Sequence, residues 1–123
     1  MRAVVLGLAV AAAAFLVAAS GVHATTQPGT VYIVRLLVND RAVVFRGDKF
    51  LTAKATPRYP RGTEVRYEVW NRGTRWFNLN MLGSTTGAIA PGKERSILVY
   101  WARRGNFVFR AKPHGPKIRV SVD

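Results

Sequence analysis

TEVRYEVW, residues 63–70, alternates without a break: Val65, Tyr67 and Val69 fall on one side of an extended chain, Glu64, Arg66 and Glu68 on the other. A period of two with one apolar and one charged face is the pattern of a strand whose one side packs on a core while the other meets water. A one-residue slip would carry Arg66 and Glu68 into that core, so the register is strongly specified.

The same grammar extends both ways from this strand. Downstream, Asn71, Arg72 and Gly73 turn the chain and WFNLNML (76–82) reads as the next strand, whereas GSTTGAIAPG (83–92) reads as a loop, with Gly and Pro punctuating Ser and Thr. ERSILVYW (94–101) is a strand, Arg104-Gly105 turns the chain into NFVFRA (106–111), and KIRVSV (117–122) sets Ile118, Val120 and Val122 against Lys117, Arg119 and Ser121. Upstream, VYIVRLLV (31–38), RAVVF (41–45) and FLTAKA (50–55) are short and rich in β-branched residues, with Asn39-Asp40 and Gly47-Asp48 as turns between them. Seven or eight strands predict an all-β chain of two packed antiparallel sheets, with Val65, Tyr67, Val69, Phe107, Phe109, Ile118, Val120 and Val122 facing inward.

The first residues carry a different message. MRAVVLGLAVAAAAFLVAASGVHATT has one charge at Arg2, an apolar run and small residues closing at Ala24, the layout of an export signal. The reading expects residues 1–24 to be a signal and residues 25–123 one mature domain, periplasmic or secreted. The alternative is an uncleaved anchor that keeps the chain at a membrane, since the apolar run approaches the ~20 residues that span a bilayer. No cysteine is present, so the fold must be held by packing alone. Nineteen Lys and Arg against six Asp and Glu give a formal charge of +13, dispersed through the strands and not gathered in a tail. Such a surface attracts acidic proteins, anionic membranes or glycans, while export argues against nucleic acid.

The C-terminal half, with VRYEVWNRG, a loop closing in IAPGKE, a strand, GNFVFRAKPHG and a terminal KIRVSV, resembles the cupredoxin superfamily of blue copper proteins. The resemblance covers residues 56–123 and implies an eight-stranded, two-sheet Greek-key β-sandwich. It also implies ligand positions: a cysteine slot that falls at Ala111, a second histidine at His114, and a first histidine from residues 71–82, where Asn78 or Asn80 is the nearest polar substitute. No methionine follows His114. A blue copper centre depends on its thiolate, and alanine offers no donor atom. No cofactor is expected, and His114 is kept only as a candidate for adventitious metal binding.

Other chemistry has little to build on. His114 is the sole histidine after residue 24, and no Ser-His-Asp arrangement or phosphate-cradling glycine loop is legible. Glu64 and Glu68 share a strand face but lie about 13 Å apart at roughly 3.3 Å per residue, too far for a short dyad. The chain is therefore expected not to be an enzyme. WNRGTRWF (70–77) combines charge with large rings beside a turn, and Trp and Arg are enriched at interface hot spots. Trp70, Arg72, Arg75 and Trp76 are the candidate partner-binding residues. The expected function is a non-catalytic exported binding or structural module, an accessory subunit of a cell-envelope assembly whose partner is an acidic protein surface. The alternatives are a periplasmic copper-handling protein and a binder of anionic glycan or lipid surfaces.

Overall fold

The computed structural model describes residues 29–123. The expected export signal, and the anchor alternative, lie outside the described residues. The rest forms nine strands: β1 (Val31–Val38), β2 (Val43–Arg46), β3 (Arg58–Tyr59), β4 (Thr63–Asn71), β5 (Phe77–Met81), β6 (Ser84–Ile89), β7 (Glu94–Trp101), β8 (Gly105–Arg110) and β9 (Lys117–Val122). One layer is a four-stranded sheet in the order β2-β1-β4-β7. Facing it, β3-β9-β8 form a second sheet, and the β5-β6 ribbon is tied to its end by an isolated bridge between Asn78 and Lys112. The chain is thus all-β and a sandwich.

Pairing is not antiparallel throughout, as the sequence reading expected. β1 runs parallel to β4 along its whole length, Val31 opposite Glu64 through Val38 opposite Asn71, and β3 is parallel to β9. The apolar residues of VYIVRLLV fall on both faces of this strand: Val34, Leu36 and Val38 are buried, whereas Val31 and Ile33 are exposed.

Two segments exchange roles. FLTAKA is not a strand: Thr52 gathers the chain into a turn, its hydroxyl donating to Thr56 O at 2.7 Å and its carbonyl accepting from Ala55 N at 3.0 Å, with Ala55 at φ 62°. GSTTGAIAPG is not a loop, because residues 84–89 pair with β5. The turn sits one step earlier, at Leu82 (φ 54°) and Gly83 (φ 88°), two positive-φ residues that match the right-handed twist of a two-residue hairpin. Thr85, Thr86 and Ile89 then supply β-branched side chains, and Gly87 (φ 69°) accommodates the bulge between Asn78 and Asn80.

The core forms as the alternation demands. Val65, Tyr67, Val69, Ile118, Val120 and Val122 are buried, and Arg66, Arg110 and Arg119 are exposed. Phe107 and Phe109 face inward against Trp101, at ring distances of 5.6 and 6.0 Å, but stay half-buried because β8 is an edge strand. Trp101 is fully buried and stacks on Tyr59 at 5.7 Å. Its indole N–H donates to the Tyr67 hydroxyl (3.2 Å), which donates to the Tyr59 hydroxyl (2.8 Å), which donates to Asp48 Oδ2 (2.5 Å). Asp48 Oδ1 accepts from Phe50 N at 2.9 Å. Asp48, legible in the sequence only as a turn residue, is therefore a buried carboxylate.

Burial pushes the Tyr59 phenol well above its usual range, with Tyr67 and Asp48 adding to the effect. Burial also raises Tyr67, against the opposing pull of its bonds to Tyr59 and Trp101. The folded chain therefore holds these protons more tightly than the unfolded one. Stability from the pair is complete below the unfolded tyrosine value of about 10 and falls as pH rises beyond it. The expected result is a urea midpoint that drops above about pH 10, with a shallower drop in the Tyr59→Phe, Tyr67→Phe double variant. At neutral pH, Tyr59→Phe alone should cost about 1–3 kcal/mol, because Asp48 Oδ2 loses its partner without gaining water; an unchanged midpoint would mean that the carboxylate is not desolvated.

Candidate functional site

The residues between β4 and β5 are built around Asn71, the last residue of β4. Its side chain is fully buried, with Nδ2 donating to Arg75 O and Ile89 O (2.8 Å each) and Oδ1 accepting from Gly73 N at 2.8 Å. Its main chain joins the turn at Pro91-Gly92, with Asn71 N donating to Lys93 O and Gly92 N to Asn71 O. Arg72 N donates to Val38 O at 2.7 Å, and Thr74 is held by Asp40, whose Oδ1 accepts from Thr74 N (3.0 Å) and Oδ2 from Thr74 Oγ1 (2.6 Å). These bonds from Thr74, side chain first, keep the Asp40 carboxyl below its ordinary value. Gly73 is required by space and not by its torsion, since a Cβ there would lie 2.2 Å from Asp40 Oδ1.

This turn divides the four candidate residues into two groups. Trp70, half-buried on the outer face of the four-stranded sheet, lies between two guanidinium groups, Arg72 at 4.6 Å and Arg35 at 5.7 Å from its ring centre. Arg35 also reaches Glu68 (3.9 Å) and Glu94 (3.7 Å), so Trp70 belongs to a mixed charged lattice and not to a bare apolar patch. Trp76 is 53% exposed. With Arg75 it lines a cleft of about 330 Å³ whose other walls include Asp40, Arg41 and His114. Among the described residues, no ring contact or hydrogen bond links Trp70 to Trp76.

The ligand slots implied by the resemblance can also be placed. Ala111 is fully buried beneath Gly115, where an added Cβ would meet Ala111 O at 2.6 Å and Ala111 Cβ at 2.7 Å. His114 is exposed on the rim of the cleft, and Asn78 and Asn80 point outward from β5 while Phe77, Leu79 and Met81 fill the core. The cleft brings His114 beside Trp76, a neighbour that spacing along the chain did not reveal. Among the described residues, no three His, Cys, Asp or Glu side chains come together.

One surface escaped the sequence reading altogether. On the outer face of the four-stranded sheet, Ile33, Arg66 and Leu98 form a cross-strand row, and Tyr100 stands opposite Glu64 in the next. Ile33, Leu98 and Tyr100 are 54%, 46% and 58% exposed. The signal was present: VYIVRLLV and SILVYW carry apolar residues on both parities, so one set had to face outward.

No protein-family model and no curated protein sequence matches this chain. Its fold does match solved structures. A multicopper oxidase shares 14% identity at a TM-score of 0.57, over 80% of this chain and 45% of that one. A chain in the cryo-EM structure of a heme-copper terminal oxidase dimer shares 12% identity at a TM-score of 0.56, over 85% of this chain and 76% of that one. A copper nitrite reductase from Nitrosomonas europaea shares 14% at 0.53, over 76% and 42%. This chain spans less than half the length of the multicopper oxidase and the reductase that it resembles. The fold is cupredoxin-like, that of the domains from which copper oxidases and nitrite reductases are assembled.

The turn yields its own test. Asn71→Ala strips Gly73 N, Arg75 O and Ile89 O of a buried partner and should lower stability by about 2 kcal/mol or more. Arg72→Ala, which removes only an exposed side chain stacked on Trp70, should cost about 0.5–1 kcal/mol. Urea denaturation of the two variants checks the order, and equal effects would show that Asn71 does not organise the turn.

Proposed function

We propose that this chain is an exported, non-catalytic binding module of cupredoxin-like fold without a copper centre, serving as an accessory subunit of a larger cell-envelope assembly. The observation that carries the reading is the presentation of Trp76. A large ring that is 53% exposed sits at the end of a turn held by two bonds to the Asn71 side chain and two to Asp40. A backbone already fixed loses little entropy on binding, and a Trp flanked by Arg is the composition of an interface hot spot. Arg41 and Arg75 in the same cleft give the acidic partner its sign.

The donor chemistry supports the copper-free part of the proposal. The thiolate slot is a buried alanine, and the cleft offers one imidazole and one carboxylate whose two oxygens already accept bonds from Thr74. These residues do not fit a thiolate-centred copper ion. After dialysis, the chain should retain no stoichiometric Cu(II), and Ala111→Cys alone should not produce intense blue absorption. One equivalent retained against a chelator and lost in His114→Ala would overturn this part.

The docking part is tested by recovering partners from membrane and periplasmic fractions and measuring binding kinetics on variants. Trp76→Ala should weaken association by about 2 kcal/mol or more, roughly 30-fold. Arg72→Glu with Arg75→Glu should mainly slow association and change its salt dependence. Unchanged rates in both would reduce Trp76 to an exposed surface ring and remove this reading.

A further inference from the structure

Among the described residues, β8 is an edge strand with a vacant side. Lys112 marks which side, because its N–H donates to Asn78 O (2.9 Å) and its carbonyl accepts from Asn78 N (2.7 Å). Backbone groups repeat direction every second residue, so Arg110, Val108 and Asn106 point toward β5, while Phe109, Phe107 and Gly105 turn their groups to β9. Continued antiparallel pairing would set Asn80 opposite Arg110, but the bridge at Asn78 and Lys112 stands alone and the strands part beyond it. Between them lies a groove of about 680 Å³, lined by Asn78, Asn80, Val108, Arg110, Lys112 and Lys117 with the Phe109 ring at its base. Among the described residues, three cations and no carboxylate line it, and Val108, 53% exposed, offers an apolar contact.

We propose that this groove binds an extended acidic peptide segment of a partner protein, which adds to β8 as a strand. Strand addition uses main-chain hydrogen bonds for affinity and side-chain chemistry for selection. The vacant donors and acceptors of Asn106, Val108 and Arg110 supply the first. A carboxylate facing Arg110 supplies the second, since opposite charges on facing strands attract and like charges repel, and Lys112 and Lys117 on the groove wall add to the attraction. The same cations exclude a second copy of this chain, because pairing two β8 edges would bring two cationic grooves together. The groove shares no lining residue with the Trp76 cleft, so this inference and the docking reading above are tested by different variants.

The test uses the full chain and a synthetic peptide alternating glutamate with valine, followed by calorimetry and amide hydrogen exchange. Saturable binding, new protection at Asn106, Val108 and Arg110, and no binding of the lysine-for-glutamate peptide are expected. Val108→Pro removes an N–H that points into the groove while sparing the ladder to β9; it should weaken binding at least tenfold. Lys112→Glu with Lys117→Glu should do likewise without touching the backbone, and Trp76→Ala should leave the affinity unchanged. The proposal is overturned by no binding at millimolar peptide, by protection elsewhere than β8, by equal binding of the lysine peptide, or by self-association through this edge.

Discussion

The hydrogen-bond chain from Trp101 through Tyr67 and Tyr59 to Asp48 is the constraint around which the sandwich is organised. It starts on β7, crosses β4, passes to β3 in the opposite layer and ends in the segment between β2 and β3. Hydrophobic contact alone would leave two sheets free to slide, because area burial has no direction. A buried carboxylate does have one: displacing either tyrosine leaves desolvated polar atoms unpaired. In a chain without cysteine this network gives the core the specificity that a disulfide gives other domains of its size. Trp101 stacking on Tyr59 and leaning on Phe107 and Phe109 extends the order outward to the edge strand.

Asn71 does for the end of the sandwich what Asp48 does for its middle. A single amide on the last residue of β4 reaches the turn that follows it and the end of β6, and its main chain holds the Pro91-Gly92 turn. The β5–β6 ribbon, which otherwise touches the second sheet through one bridge, is therefore also attached through Asn71. Presentation of Trp76 is a by-product of this attachment: the turn is fixed because the fold needs it fixed, and none of the described elements covers its ring.

What was legible in the sequence followed strict alternation. β4 and β9 were readable because apolar and charged residues take turns along them, and β7 and β8 because turn residues bound them. β6 was not, since Ser, Thr and Gly occupy both loops and edge ribbons and only the positive-φ pair at Leu82 and Gly83 separates the two cases. FLTAKA failed in the opposite sense: strand-forming residues were overridden by local bonds from Thr52. The parallel pairing of β1 with β4 was invisible to turn-based reasoning, which sees only neighbours in the chain. At the candidate site, Trp76 and Arg75 were legible from residue type, but His114 joins them only through tertiary contact. Trp70 separates from Trp76 because the residues at the end of β4 alternate between the outer face and the core.

The basic charge can be understood through the surfaces that it occupies. An apolar sheet face and an open strand edge are both invitations to self-association, and natural sheets blunt them with charge. Here Arg66 lies between Ile33 and Leu98, while Arg110 and Lys112 flank the vacant side of β8. Were solvation the only requirement, Glu or Asp at these places would serve as well, and a mixture of signs would do so without self-repulsion. The sheet face is mixed, with Glu64 and Glu68 beside Arg35 and Arg66, but the groove along β8 has a single sign: two copies repel where those edges could pair, and an acidic segment is attracted to the same place. Cations that keep the chain apart from itself thus also determine the charge of whatever can cover it.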